Sequence, residues 1–409
     1  MASPSSRRAG SPHLAGLTAT PYVLPFRIPF QTALERLTER RGFLVRAVDS
    51  EGRTGYGEAA PIAGFGMESL AECGRALEAW AARLAGLSLA RHPRRFVPAV
   101  LEALAELTTA PAARHGIECA LADLAAQAEG MPLHRWLLHA LAGEALGSDT
   151  PGNAARGTVI GGTAIGGGPD APVPARIAVN ATLGALDPPA AATRAAELAA
   201  LGFGTLKVKV GVGGAQADGE RVRAVREAAP RLKLRVDANG AWSEGEALAW
   251  LRAHACLELE YAEQPLPRGD VAALARLAAA SPVPIAADES VLDGADAAAL
   301  LAARAAHVLV LKPMALGGLL PALRVARQSF ACGVPVVLTS VLEGAFGRTA
   351  AVHGAAAAHA LSPRPLPAMG LATGELLAED LVARPPAPVH GELPVPQAPG
   401  LGLGQSRFT

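Results

Sequence analysis

The stretch LKVKVG, residues 206–211, alternates Leu206, Val208 and Val210 with Lys207 and Lys209. Residues two apart on a strand point to the same side, so the pattern predicts a strand with two ammonium groups side by side. Like charges repel and the burial of either is costly, so the pair needs a chemical reason. Of 37 lysines and arginines only four are lysines: Lys207, Lys209, Lys233 and Lys312. Arginine meets every generic need for positive charge in this chain. A retained lysine offers what arginine lacks, an amine that can lose its proton near neutral pH.

Six further apolar runs share the texture of TLKVKV (205–210): RIAVNA (176–181), LRVDAN (234–239), LEYAEQP (259–265), PIAADES (284–290), HVLVLKP (307–313) and PVVLTS (335–340). Ala/Leu/Arg-rich stretches of helical character separate them. Polar residues close the runs at 209, 237, 263, 288, 312 and 339, in steps of 28, 26, 25, 24 and 27. A strand, a loop and a helix need about that many residues, so the pattern reads as a β/α repeat. An open doubly wound sheet is the alternative. The polar residue at the C-terminal edge of each run favours a barrel, where those edges converge on one mouth.

Asp237, Glu263 and Asp288 close three consecutive runs. Singly, each reads equally well as a helix cap or an ion pair. Three in register call for positive charge between them, and oxygen ligands without His or Cys suit Mg²⁺, with Mn²⁺ as a substitute. Lys207 and Lys209 precede the acids and Lys312 follows them, so amines flank the expected cation. A cation and a second ammonium are expected to lower a lysine's pKa. That makes Lys209 a general base oriented by Lys207. The reaction class this suggests is removal of the proton beside a substrate carboxylate, with Lys312 and the metal stabilising the enediolate.

The fold expected is α/β: a modified TIM (β/α) barrel over about 175–375 with an α+β N-terminal capping domain over 20–142, completed by about 376–409. Residues 1–19, rich in Ser, Pro, Arg and Gly, read as a disordered tail. Two strands with a turn at 49–52 open the cap, and helical patterns fill about 67–141. The Gly-rich segment 143–174 has no periodicity and reads as an insertion or linker.

Half the residues are hydrophobic, 18% are charged and the formal net charge is zero. Nothing recommends nucleic acid or an anionic membrane as a partner. Cys73, Cys119, Cys256 and Cys332 are scattered, which argues against a disulfide framework or zinc site and fits a reducing cytoplasm. No 18-residue apolar run and no signal-peptide pattern is present. GVGGAQADGE (211–220) lacks G-x-G-x-x-G in register, so no dinucleotide cofactor is expected. His353 and His359 read as helix-surface or packing residues, Trp242 and Trp250 as packing residues, and Glu118 and Asp123 as solvated or capping. No feature sets an oligomeric state.

K-x-K at Lys207/Lys209, D-A-N at 237–239, E-Q-P at 263–265, D-E-S at 288–290 and L-K-P at 311–313 together resemble the enolase superfamily, muconate-lactonizing subgroup. The resemblance covers about 20–380. Within the subgroup, GYGEAAPIAGFGMESL (55–70), HGIECALADL (115–124) and TSVLEGAFGRTAA (339–351) are most similar to the o-succinylbenzoate synthase family. That resemblance implies dehydration of 2-succinyl-6-hydroxy-2,4-cyclohexadiene-1-carboxylate to 2-succinylbenzoate in menaquinone biosynthesis. It makes Lys209 the base, Lys312 the enediolate's partner, Lys207 a support, and Asp237, Glu263 and Asp288 the Mg²⁺ ligands. Arg235, Asn239, Ser340 and the cap loop at Gly64 and Phe65 would contact the small-molecule carboxylate. Gly66 stands where Ser is usual in that family. N-acylamino acid racemases, epimerases and cycloisomerases of the superfamily would use the same set. Relatives acting on dipeptides carry D-x-D near the last strand, whereas LPAMGLATG (366–374) holds no acid.

Overall fold

A computed structural model describes residues 12–31, 36–89, 103–104, 106–107, 109–142, 168–404 and 406–407. The chain opens with three antiparallel strands in sequential order, β1 (Leu14–Gln31), β2 (Arg36–Asp49) and β3 (Thr54–Ala59). The turn between β2 and β3 falls where the sequence puts it. Asp49 Oδ1 accepts the Glu51 and Arg53 amides at 3.0 and 2.8 Å. β1 begins inside the stretch expected to be disordered, because Leu14 and Leu17 are buried in the cap's core. Residues 1–11 lie outside the described part, as do 143–167 of the Gly-rich segment, and 168–174 is irregular.

Helix α1 (Leu70–Arg83) starts at a capping box in which Ser69 and Glu72 satisfy each other's amides. Helix α2 (Pro111–Ala128) lies against β3 at backbone contact. A Cβ on Gly55 would stand 2.2 Å from the Ala120 carbonyl oxygen, and one on Gly57 2.0 Å from that of Gly116. The two glycines of G-Y-G-E are therefore what seats the cap sheet on its helix. Helix α3 (Leu133–Leu141) follows.

β4 (Arg176–Ala178) pairs antiparallel with the late strand β12 (Glu392–Pro394). Seven parallel strands then follow in sequence order: β5 (Ala181–Leu183), β6 (Thr205–Lys209), β7 (Lys233–Asp237), β8 (Leu259–Glu263), β9 (Ile285–Ala287), β10 (Val308–Leu311) and β11 (Val336–Leu338). The crossover helices are α4 (Pro188–Ala200), α5 (Ala215–Ala228), α6 (Glu244–Ala253), α7 (Val271–Ala280), α8 (Gly294–Ala302) and α9 (Leu319–Ala331). Several start where side chains cap them: Asp187, Ser243, Asp270 and Asp293 each accept an amide of the first turn. Helix α10 (Ala345–Leu361) follows β11.

The sheet does not end open. Parallel bridges Val179–Met369 and Thr339–Gly370 place the segment around 369–370 between its first and last strands. Met369 N donates to Ala178 O and Gly370 N to Leu338 O, at 2.8 and 2.9 Å. That eighth member closes the ring, and the doubly wound alternative falls. The C-terminal stretch ties cap to barrel, with Ala378 N donating to Pro25 O and Leu401 N to Asp123.

Glu118 and Asp123 are not solvated. Both are buried and hold backbone amides: Glu118 takes Leu320 N at the start of α9, and Asp123 takes Tyr56 N and Leu401 N. His353 is fully buried rather than on a helix surface. It stacks on His134, and burial pushes its pKa down to about 3. Trp242 and Trp250 pack on each other, 5.1 Å between ring centres.

Candidate active site

The register of β6, β7 and β8 sets Lys209 beside Asp237 and Asp237 beside Glu263 in one row at the strands' C-terminal ends. Side-chain alternation points all three, and Lys207, to the same side. Two turns then redirect the chain. Asn239 and Gln264 have φ of 44° and 36°, the left-handed region. Gln264 Oε1 accepts the amides of Asp288 and Ser290, at 2.9 and 3.2 Å, and so fixes the D-E-S loop.

Each acid is turned on a lysine. Lys207 Nζ lies 2.7 Å from Glu263 and 3.0 Å from Asp237. Lys209 Nζ donates to Asp237 Oδ2 and Asn239 Oδ1, both at 2.7 Å. Lys312 Nζ donates to Asp288 Oδ2 at 2.5 Å and sits 4.2 Å from the centre of the Phe65 ring. A fourth acid, Glu289, accepts from Asn239 Nδ2 at 2.8 Å and lies 4.0 Å from Lys312. All seven charged groups are buried.

Four carboxylates against three ammoniums leave one negative charge uncompensated. Burial, then Asp237 beside it, raises Glu263 to about 8. Burial alone would lower Lys207, but Asp237 and Glu263 hold it well above the usual lysine value. Asp288 and Glu289 do the same for Lys312.

The donor set fits a hard divalent cation in its chemistry. It offers carboxylate oxygens only, and Glu263 Oε2, Asp288 Oδ1 and Glu289 Oε2 are buried with no hydrogen-bond partner. Among the described residues, no three Asp, Glu, His or Cys side chains converge on one point. A cation would take the place the ammonium groups hold against the acids.

Phe65, Lys207, Lys209, Asp237, Asn239, Asp288, Lys312 and Ser340 all line one cavity of about 50 Å³. Gly64 is exposed and does not line it. Gly66 closes the Phe65 turn at φ 79°, which explains a glycine where Ser is usual. Arg235 does not reach the mouth either. It lies two residues below Asp237, fully buried, bonded to Glu260 (2.6 Å), Asn180 (3.0 Å) and Ala368 O (2.8 Å), and stacked on Tyr261. It ties β7 to β8, to Asn180 before β5 and to the closing segment, and its Nη2 is buried with no hydrogen-bond partner.

Sequence reading missed Glu289, Gln264, and the wall residues Thr182, Thr339 and Thr373. Glu289 and Gln264 sit inside the D-E-S and E-Q-P motifs and were legible there. Thr339 closes the last run in the even spacing, while Thr182 and Thr373 carried no signal. A larger cavity, about 940 Å³, lies where the cap sheet, by Arg46, Arg53 and Tyr56, meets Gln127 of α2, Phe346 of α10 and the C-terminal segment at Leu401. It holds none of these groups, and Arg53 is already paired with Asp49 and Glu51.

Acids in register, ringed by lysines at the C-terminal mouth of a β/α barrel, define an enzyme site of the proton-abstracting kind. The profile described as enolase C-terminal domain-like matches residues 190–406, and the one described as MenC, N-terminal domain, matches 19–124. The chain belongs to the enolase superfamily. It is 44% identical to an o-succinylbenzoate synthase of Thermobifida fusca over 228 residues, 55% of this chain and 68% of that one. A hydrophobic dipeptide epimerase of Enterococcus faecalis is 30% identical over 380 residues, 92% of this chain and 93% of the relative. The crystal structure of a dipeptide epimerase from that species, complexed with Mg and the dipeptide L-Leu-L-Tyr, superposes with a TM-score of 0.80. It is 27% identical and covers 96% of this chain and 100% of its own.

Proposed function

We propose that the protein is a Mg²⁺-dependent lyase that dehydrates 2-succinyl-6-hydroxy-2,4-cyclohexadiene-1-carboxylate to 2-succinylbenzoate. The observation that carries the proton-abstracting part of this reading is the placement of the amines. Lys209 on β6 and Lys312 after β10 stand four strands apart in an eight-membered ring, so they face each other across the mouth. The 44% identity to the Thermobifida enzyme adds support for the particular reaction.

Asp237, Glu263 and Asp288 would hold the cation, with Mn²⁺ as a substitute. When bound there, the cation would supply positive charge to the substrate's carboxylate and so make the adjacent carbon more acidic. Lys207, two residues along the same strand, would remain a positive neighbour that disfavours a proton on Lys209 and so supports it as the base. Lys209 Nζ, released from Asp237 Oδ2 and having given its own extra proton to solvent, takes as the neutral amine the proton alpha to the carboxylate. Lys312 Nζ donates to the enediolate oxygen as charge develops there. The same proton, returned by Lys209, leaves with the ring hydroxyl as water, so the base ends as it began. A cavity of about 50 Å³ is well short of the ~300 Å³ of small ligand sites. Substrate must therefore part Phe65 from Lys312 on entry.

The second reading, dipeptide epimerisation, is favoured by the 92% span of the Enterococcus relative. The wall that 366–374 contributes here is Gly370 and Thr373, with no acid to meet a dipeptide's ammonium. The test is ultraviolet loss of the cyclohexadiene substrate, run with Mg²⁺, with chelator, and with Lys209→Ala. Loss confined to wild type with Mg²⁺ is the expected result. Inert wild type that epimerises dipeptides would overturn it.

A further inference from the structure

Leu342 has φ 65°, in the left-handed region that a branched side chain avoids. The other left-handed residues at the mouth, Asn239 and Gln264, are amides, and both are held by their own side-chain hydrogen bonds. Leu342 has no polar atom to hold it so. Glycine would relieve the strain, yet the chain carries leucine there, nearly buried and lining the cavity with Lys209 and Lys312.

Neighbours on both sides impose the conformation. Val341 N donates to Glu343 Oε2 at 2.5 Å, and Arg40 Nε reaches from the cap to Val341 O at 3.3 Å. Arg40 also binds the carbonyls of Ala60 and Pro61, just before the Phe65 turn. Beyond Leu342, Gly344 N and Gly347 N donate to the two oxygens of Glu58, at 2.5 and 2.8 Å, and Arg348 Nη1 binds Glu343 O at 2.8 Å. Every anchor is buried. Strain that surrounding bonds over-determine, at a cavity wall, points to a use for the side chain it presents.

We propose that Leu342 is a specificity-determining residue, the apolar wall that selects a ring or bulky alkyl group on the substrate. Glu343 and Glu58 are the positioning residues that hold it. This rests on the cavity being the active site. An apolar wall of this size is worth about tenfold to a hundredfold in discrimination.

The experiment measures kcat and KM for the cyclohexadiene substrate, and alpha-proton exchange of two N-succinylamino acids, one with an aromatic side chain and one with a methyl. Leu342→Gly and Leu342→Ala are compared with wild type. Both variants are expected to lose about tenfold or more in kcat/KM for ring substrates, mainly through KM, with the methyl compound little changed. Leu342→Gly, relieved of strain, should melt no lower than Leu342→Ala. Glu343→Ala should raise KM in the same direction, and Glu343→Gln should restore it, because the amide oxygen still accepts Val341 N–H. An unchanged ratio of ring to methyl substrates in both Leu342 variants would overturn the proposal, as would equal loss for both substrates. A wild type inert toward all three compounds would sink the functional reading instead.

Discussion

The barrel mouth and the seam between cap and barrel both bury carboxylates, but they satisfy them differently. At the mouth, Asp237, Glu263 and Asp288 face lysine ammoniums. At the seam, Glu58 takes the amides of Gly344 and Gly347 and the Tyr22 hydroxyl, Glu118 takes Leu320 N, and Asp123 takes Tyr56 N and Leu401 N. A backbone amide cannot leave without unfolding its helix or strand. An ammonium on a flexible stem can swing off and give its place to a cation or a substrate proton. The seam's charge is held by backbone, whereas the mouth's charge is held by side chains that the proposed function requires to exchange.

The largest effect separates the two regions outright. Lys209→Ala should lower kcat by about 10⁴-fold, the upper range for a general base, while circular dichroism stays that of the wild type. Glu58→Ala should do the reverse. It leaves two buried amides and the Tyr22 hydroxyl without partners, and should cost about 3 kcal/mol or more in denaturant unfolding.

Next in size is a pH effect at the seam. Burial, then Glu58 nearby, raises Glu343 to about 7. A raised acid favours folding while protonated. Its contribution is fully present below about pH 4.5 and is lost as pH climbs toward 7. Glu343→Gln should therefore gain stability over wild type between pH 5 and 8. The gain should be on the order of 3 kcal/mol, at roughly 1.4 kcal/mol per pH unit. A gap that narrows as pH rises would mean the carboxylate is welcome there as an anion. The smallest effect is a surface control: breaking the exposed Arg276–Glu244 pair by Arg276→Ala should leave the melting temperature and activity unchanged.

The barrel and the acids at its mouth were legible because they repeat. Steps of 24 to 28 residues between polar strand ends gave the β/α unit. The scarcity of lysine marked Lys207, Lys209 and Lys312. What stayed hidden depends on contacts far apart in sequence. Arg235 has the right motif position but is spent on Asn180 and Ala368, 55 and 133 residues away. Glu118 and Asp123 look like helix-surface acids until Leu320 and Leu401 arrive beside them. The closing segment at 369–370 is too short to announce a strand. Leu342 carries no sequence signal, since only the backbone angle sets it apart.

In the proposed function the mouth's lysines are exchangeable proton carriers answering to a cation on Asp237, Glu263 and Asp288. Deuterium exchange at the carbon beside a substrate carboxylate, followed by proton NMR in D₂O, tests this. Exchange is expected in the wild type with Mg²⁺, with none in chelator and none in Lys209→Ala. Exchange at the wild-type rate in Lys209→Ala, or in chelated wild type, would contradict it.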